Sequence, residues 1–528
     1  MSDIVFLSGK RTPFGTFLGS LSKVSAIDLG VIASKAAIEQ AGVSADDIDH
    51  VVFGNVMQTS ADAIYGARHI GLKSGVPVPT PAVTINRLCG SGFEALAQAS
   101  QLLRLGEASM VLAGGTENMT QAPHTIRGAR AGFKLGGTEM NDYLREVLLD
   151  PVAGCEMAIT AENLGEKYGI TREDADEYGL RSQNAWKNAH DNGYYANELV
   201  DVVIPSRRGD ITVSVDEHPQ LSPLKPEKIR ARFGAEAMAG LRPVFKKDGT
   251  VTAANASGIN DGAGAMVMTT AAIAQERGLQ PIGRLISSAS FGVEPKYMGI
   301  GPVYAIREAL KRADMSLGQM DLVEINEAFS TQYIACEREL ELDRNITNVN
   351  SGGVAIGHPL AASGTRITTH LLYELKRRGK KYGVGSACIG GGQGIAVVVE
   401  AFWEDTCPRQ TRSSMTGMWR ATRSLHPCVE WSTWTRPCVT ASSARASRTH
   451  PLRRRWRWCA CWMQQGFITW TSASPGRVHA PSKTALSWLS SSVTRSCPSR
   501  PCVRRVPTPT TSSPSSRSLR RPVSPSRP

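Results

Sequence analysis

Apolar positions from Met1 to Trp403 alternate between a strand-like period of two and a helical period near 3.6. Both patterns recur in the same order. Ile4-Val-Phe-Leu opens a strand. Ala36-Ala-Ile-Glu-Gln-Ala-Gly is the end of an Ala-rich helix, followed by a short polar loop and the apolar strand Val51-Val-Phe. Pro81-Ala-Val-Thr-Ile-Asn predicts another strand, with the helix Phe93–Arg104 close behind it. A Gly-rich strand is expected over Val251–Thr270, and Gly364-Thr-Arg-Ile-Thr-Thr-His-Leu-Leu opens a further helix. Strands interleaved with amphipathic helices place this part of the chain in the α/β class.

An internal repeat organises these elements. One constant shift, without gaps, lays Ala36–Gly54 over Glu308–Asn326. In the same register Ile85-Asn-Arg-Leu-Cys-Gly-Ser-Gly92 falls on Gly357-His-Pro-Leu-Ala-Ala-Ser-Gly364, and Gly106–Gln121 falls on Arg378–Gln393. Two similar halves are therefore expected, residues 1–121 with 248–274 and residues 275–403. Residues 122–247, outside the repeat, contain helical stretches such as Ala161-Glu-Asn-Leu-Gly-Glu-Lys-Tyr and are expected to form an insertion that covers the site. Packing about a pseudo-two-fold would bring the turn carrying Cys89 against the turn carrying His358, with the loop carrying Cys388 nearby.

Charge divides the chain at one point. The formal net charge of +13 suggests a polyanionic partner. However, residues 404–528 hold 20 Arg, one Lys and three acids, a net +18, whereas Met1–Trp403 carries 39 basic and 44 acidic residues, a net −5. The same C-terminal segment holds 14 of 29 Pro and eight of 10 Trp, but only three of 50 Gly. That composition, without helical or strand period, predicts a disordered tail. It is also the composition of a GC-rich gene read out of frame. Four Cys before residue 404 do not form a disulfide framework, so a reducing compartment is expected. The N-terminus does not read as a signal peptide, and no apolar run approaches the length of a membrane span, which predicts a soluble protein.

Three residues carry the candidate chemistry. Cys89 sits between a strand and a helix and is flanked by Gly90 and Gly92. The helix dipole there is expected to draw its thiol pKa toward neutrality. His358, in Gly-His-Pro, is placed to take the thiol proton and later to donate to an oxyanion. Cys388, in Cys-Ile-Gly-Gly-Gly-Gln-Gly, suits reversible proton transfer. Two thiols and a His also fit a metal site or a redox disulfide. Neither a CxxC pair nor metal-spaced His residues favour the metal, and a redox pair would need the two sulfurs within bonding distance.

With these residues in view, the chain resembles the thiolases, closest in pattern to 3-ketoacyl-CoA thiolases and acetyl-CoA acetyltransferases. The motifs are Asn86-Arg-Leu-Cys-Gly-Ser-Gly, Asn255-Ala-Ser-Gly-Ile-Asn-Asp-Gly-Ala, Asn326-Glu-Ala-Phe, Gly357-His-Pro-Leu and Cys388-Ile-Gly-Gly-Gly, spread over residues 1–403. The resemblance implies a thiolase fold of two βαβαβαββ halves with an inserted loop domain, assembled as a homodimer or homotetramer. It implies that Cys89 becomes acylated, His358 activates it, and Cys388 is the second acid and base. Asn326 would hold a water that, with His358, forms one oxyanion hole. Backbone N–H groups of Cys89 and Gly390 would form the other. Ser257 is the implied pantetheine contact, Phe245 and Met298 line the acyl pocket, and Arg232 (with its neighbour Arg230) is placed near the adenine or phosphates.

Acyl-CoA, acetyl-CoA and CoA are then substrates, with neither a metal nor a resident cofactor, in the cytoplasm or, in a eukaryote, the mitochondrial matrix. Two departures from the family pattern stand out. Ala361 follows His-Pro-Leu where Gly is common, and Cys155-Glu156-Met-Ala replaces a His-Met-Gly run of acetoacetyl-CoA-specific members. The second departure favours the broader 3-ketoacyl-CoA type over an acetoacetyl-CoA-specific acetyltransferase. Two other classes remain: a non-catalytic thiolase-fold lipid or CoA carrier, and a tail-driven nucleic-acid or membrane binder. Filled polar catalytic positions oppose the first, and the −5 charge of residues 1–403 opposes the second.

Overall fold

The computed structural model describes residues 3–217 and 234–402. The tail, with the expectation of disorder, lies outside the described residues, as do Arg230 and Arg232. Strands β1 (Ile4–Arg11), β2 (His50–Gly54), β3 (Ala82–Ile85), β4 (Met110–Asn118) and β5 (Asn260–Thr270) belong to one side of the sheet. On the other side are β6 (Gly283–Gly292), β7 (Leu322–Ile325), β8 (Tyr382–Ile389) and β9 (Gln393–Ala401). The order across the sheet is β7-β8-β9-β6-β1-β5-β4-β2-β3. The two sides join narrowly, where Ile4–Phe6 of β1 pairs antiparallel with Gly283–Leu285 of β6.

The repeat is visible in this order. β2 pairs parallel with β4, and β7, which occupies the same position of the repeat as β2, pairs parallel with β8. Helix α3 (Ser91–Leu105) and its counterpart α8 (Ser363–Arg378) also begin at equivalent positions. The correspondence fails at one element. β3 has a parallel ladder to β2 along its whole length, whereas β7 keeps only a bridge from Val323 to Thr347, and a short helix at Gly353–Ile356 takes the equivalent sequence position. The Gly-rich strand also starts later than expected, at Asn260. The preceding residues are held off the sheet by side-chain bonds, such as Thr252 N–H to Asn255 Oδ1 at 2.7 Å.

Strand alternation explains the layers. On β4, Val111 and Ala113 face inward onto α3 and α8, in a core shared with Phe93, Leu96, Ile367 and Leu371. Met110 and Leu112 face the opposite way, into a core formed with α1 (Ala26–Gln40) and α2 (Gly66–Lys73) through Leu29, Ala33 and Ile70. On β9, Val397 and Val399 point into the same central core as Val111, while Ala396 and Val398 pack on α6 (Gly301–Ala313) through Val303 and Ile306. A helix pair is thus sandwiched between two sheet halves, with further helices outside. This is the α/β layering that the apolar periods predict.

Local signals set the element ends. Ser25 caps α1 by accepting from Asp28 N–H, worth about 1 kcal/mol. Gly106 ends α3 in the left-handed conformation. Between residues 122 and 247 lie α4 (Met157–Tyr168) and α5 (Arg172–Asp191), the latter opened by a Thr171/Asp174 capping box. α4 packs against the Pro295–Ile300 segment and α7 (Ser330–Leu340).

Candidate active site

The site forms where the starts of α3 and α8 meet. Both have glycine at the point of closest approach. A Cβ on Gly92 would lie 2.7 Å from both Ala361 O and Thr365 N, and one on Gly364 would lie 2.3 Å from Phe93 N. These two glycines, at equivalent positions of the repeat, let each helix start touch the backbone of the other. Cys89, in the short turn Leu88–Gly90 ahead of α3, therefore packs beside Leu360 and Ala361 of the His358 turn. Ala361, with its extra methyl, is fully buried in that cluster with Val56, Met57 and Leu144.

The Cys89 turn is strained and braced. Leu88 adopts φ +46°, a left-handed conformation unfavourable for Leu by about 1–3 kcal/mol. Leu88 N–H donates to Asn86 Oδ1 at 2.9 Å. Arg87 N–H donates to Ser91 Oγ at 2.8 Å, and Ser91 Oγ–H donates to Leu88 O at 2.7 Å.

The expected depression of the Cys89 pKa is not found. Burial pushes the thiol up to about 11. The N–H of Gly390 and the residue's own N–H lower it, and the nearby Glu117 raises it. Desolvation outweighs the helix-terminus field, so the resting group is a thiol.

His358 is buried and held by both ring nitrogens. Asn326 Nδ2–H donates to Nε2 at 3.3 Å, and Nδ1 meets Ser363 Oγ at 2.6 Å, whose hydroxyl donates to Pro359 O at 3.0 Å. This network assigns the neutral tautomer with its proton on Nδ1. Burial, with the positive charge of Arg366, lowers the imidazole pKa to about 3. A neutral ring with its Nε2 lone pair free of a proton is the form a general base requires.

Cys388, one residue before the end of β8, is fully buried and packs with Met298 and Ala328, with Met157 and Phe329 at the edge of the cluster. Burial raises its thiol well above the usual range, followed by the charges of Cys89 and Cys336. Gly390 packs between Leu88 and Met157, since a Cβ there would lie 3.0 Å from Leu88 Cδ1 and 3.3 Å from Met157 Sδ. All four cysteines among the described residues are free thiols.

Asn326 is anchored through its neighbour. The buried Glu327 accepts from Tyr178 Oη at 2.7 Å, Ser182 Oγ at 2.6 Å, Asn348 Nδ2 at 3.0 Å and Val354 N at 3.2 Å. Tyr178 and Ser182 lie on α5, so residues outside the repeat fix the Asn326 turn. Asn326 Oδ1 has no hydrogen-bond partner among the described residues.

The structure brings Cys89, His358, Asn326, Cys388, Gly390 and Met298 into one region. Ser257 is adjacent, half-buried, its N–H donating to Ala328 O at 3.0 Å. Phe245 is 41% exposed, and Met157 and Phe329 pack with Met298 beside Cys388. Glu156 turns away to an ion pair with Arg145 at 3.1 Å. Met157, Ser363 and Glu117 were not found from the sequence. Each is an ordinary residue on its own element, and its relevance comes from the tertiary approach of two turns.

Comparison with known proteins agrees with this geometry. Residues 4–272 match the model of the thiolase N-terminal domain and residues 279–401 that of the thiolase C-terminal domain. Over 401 residues the chain is 50% identical to the bovine mitochondrial 3-ketoacyl-CoA thiolase, covering 76% of this chain and 98% of the relative. It is 45% identical over 402 residues to an acetyl-CoA acetyltransferase of Cupriavidus necator, covering 76% of this chain and all of the relative. A solved structure of human mitochondrial 3-ketoacyl-CoA thiolase in complex with CoA superposes with a TM-score of 0.72 at 48% identity, covering 76% and 98% of the two chains.

Proposed function

The chain belongs to the thiolase family and is an acyltransferase; from that premise we propose how its residues divide the reaction acyl-CoA plus acetyl-CoA to and from CoA plus 3-oxoacyl-CoA. In thiolysis the Cys89 sulfur attacks the 3-keto carbon while His358 Nε2 takes the thiol proton. The bond between C2 and C3 then breaks. The acyl group stays on Cys89, and the electron pair leaves as the enolate of acetyl-CoA. Cys388 gives that enolate its proton, and acetyl-CoA departs. CoA thiol attacks the acyl-cysteine, its proton passing to the Cys388 thiolate, and the Cys89 sulfur leaves with the proton held by His358, which releases the shortened acyl-CoA. Condensation is the reverse, with Cys388 as base.

Proton affinities explain why the proton moves during attack. A thiol near 11 beside an imidazole near 3 does not form a resting ion pair. The proton passes as the carbon–sulfur bond forms, when the negative charge moves to the carbonyl oxygen and the oxyanion donors stabilise it. The N–H of Gly390, which already faces the Cys89 sulfur, is one such donor. His358, once protonated, is another, with Asn326 beside it. No metal or resident cofactor is assigned a step.

The observation that carries this reading is the meeting of Cys89, neutral His358 and buried Cys388 at the junction of the two helix starts. We assign 3-ketoacyl-CoA thiolysis in fatty-acid β-oxidation as the main activity; the mitochondrial 3-ketoacyl-CoA thiolases near 50% identity support it, with acetoacetyl-CoA as a shorter substrate. The complex of a relative with CoA supports CoA thioesters as the substrate class, and Ser257 and Met298, beside the site, are the proposed contacts. A homodimer or homotetramer is the proposed assembly, working in bacterial cytoplasm or, in a eukaryote, the mitochondrial matrix.

Incubation with acetoacetyl-CoA and longer 3-ketoacyl-CoAs plus CoA tests the reading. Thiolysis by the wild type and its loss by at least about a thousandfold in Cys89→Ala are expected. No turnover by the wild type, or unchanged turnover by the variant, overturns it.

A further inference from the structure

Glu117 is a buried carboxyl that the reaction as described does not use. It lies near the end of β4, fully buried, beside the site. Oε1 accepts from Met57 N–H at 2.9 Å and Asn55 Nδ2 at 3.1 Å. Oε2 accepts from Val56 N–H at 3.1 Å and Ala361 N–H at 3.3 Å. Three of those donors are backbone amides, and they come from two separate segments: the loop after β2 and the turn that carries His358. A single side chain thus binds the His358 turn to the first side of the sheet. The cluster of Val56, Met57, Leu360 and Ala361 also packs against Cys89.

We propose that Glu117 is a positioning residue for the acyl-transfer reaction, fixing the His358 turn to the Asn55–Met57 loop and placing a negative charge beside Cys89 when it ionises. The inference rests on Cys89 being the nucleophile.

Two titratable groups bear on Glu117 from the elements around it, Asp261 on β5 and Cys89 ahead of α3, and the turn whose amide it accepts carries His358. Burial raises the Glu117 carboxyl to about 8, opposed by the amides of Met57, Val56 and Ala361, and reinforced by Asp261. Its charge therefore changes around pH 8. The ionised form disfavours the Cys89 thiolate, in line with the upward push that Glu117 gives that thiol. A purely structural clamp has no such effect on Cys89.

The test compares wild type with Glu117→Gln and Glu117→Asp in the full-length protein, with folding checked by thermal melting. Alkylation of Cys89 by iodoacetamide is followed by mass spectrometry from pH 6.5 to 9.5, with Cys388, Cys336 and Cys155 scored separately. Glu117→Gln lacks the charge, so the ratio of its alkylation rate to that of wild type rises with pH through the Glu117 titration. Above that titration, where wild-type Glu117 is ionised, the kcat of Glu117→Gln for 3-ketoacyl-CoA thiolysis falls roughly ten- to a hundredfold, since the side-chain NH2 that replaces a carboxylate oxygen sets a donor against the backbone amide donors and loosens the His358 turn. Glu117→Asp keeps the charge but not the reach, so its alkylation ratio stays flat while kcat falls. A flat ratio in Glu117→Gln, or kcat within twofold of wild type in either folded variant, overturns the proposal. If Glu117→Gln does not fold, Glu117→Asp decides by its kcat. The alkylation assay needs no acyl-CoA, so absence of thiolysis in the wild type tells against the reaction rather than against Glu117.

Discussion

At the scale of single residues, the site depends on which protons burial retains. Cys89 lies at a helix start, a position that usually favours thiolate, yet its pKa is held up at about 11 because desolvation is the larger effect. His358 has lost its proton for the same reason. The free enzyme should therefore alkylate slowly at pH 7, with the rate at Cys89 climbing through pH 9 toward a midpoint near 11. A plateau already reached at pH 7 would show a resting thiolate and would contradict the arrangement. Sequence made the identities of Cys89, His358 and Cys388 legible because glycine-flanked motifs and the repeat register single them out. The direction of the Cys89 shift was not legible, because burial comes from Leu360 and Ala361, residues distant in the chain. Glu117 was hidden for a related reason. Its partners Asn55 and Ala361 stand 62 and 244 positions from it in the chain, and no local spacing marks it.

At the scale of elements, the decisive contact is between two helix starts. Helices usually meet through interdigitating side chains. By contrast, α3 and α8 approach until the backbone of each fills the space a side chain would take on the other, which only glycine at 92 and 364 permits. Gly364→Ala places a methyl 2.3 Å from Phe93 N, an atom of the backbone that cannot turn aside. About 1–3 kcal/mol of destabilisation is expected in urea unfolding, with a larger fractional loss of kcat than of KM because the Cys89 and His358 turns part. Unchanged stability and kcat would mean that the helix starts do not meet as described. The order of strands and helices was largely readable from their periods. The late start of β5 at Asn260, behind a local turn in which Thr252 N–H donates to Asn255 Oδ1, and the reduction of the β3 counterpart to a single bridge were not, since the apolar period does not mark either.

At the scale of the whole molecule, the +13 charge proves to be a poor guide to function. The family match ends at residue 401, and everything up to Trp403 is mildly acidic. A chain ending at residue 403 should keep kcat/KM for 3-ketoacyl-CoA within about twofold of the full-length protein, and the same oligomer by sedimentation. Loss of either would give residues 404–528 a role in catalysis or assembly. The pseudo-two-fold seen in sequence reappears as equivalent strands and helices around the site. Two weakly similar halves thereby supply different groups to one centre: Cys89 from the first, His358 and Cys388 from the second.

The acyl-cysteine is the step on which the rest depends. Mixing the full-length protein with a 3-ketoacyl-CoA in the absence of CoA, quenching in acid and mapping peptides by mass spectrometry reads it directly. The expected result is one acyl group, shorter than the substrate chain by two carbons, on Cys89 alone and removed by added CoA. An unmodified Cys89 while acetyl-CoA is released, or an adduct on Cys388 in its place, would contradict it.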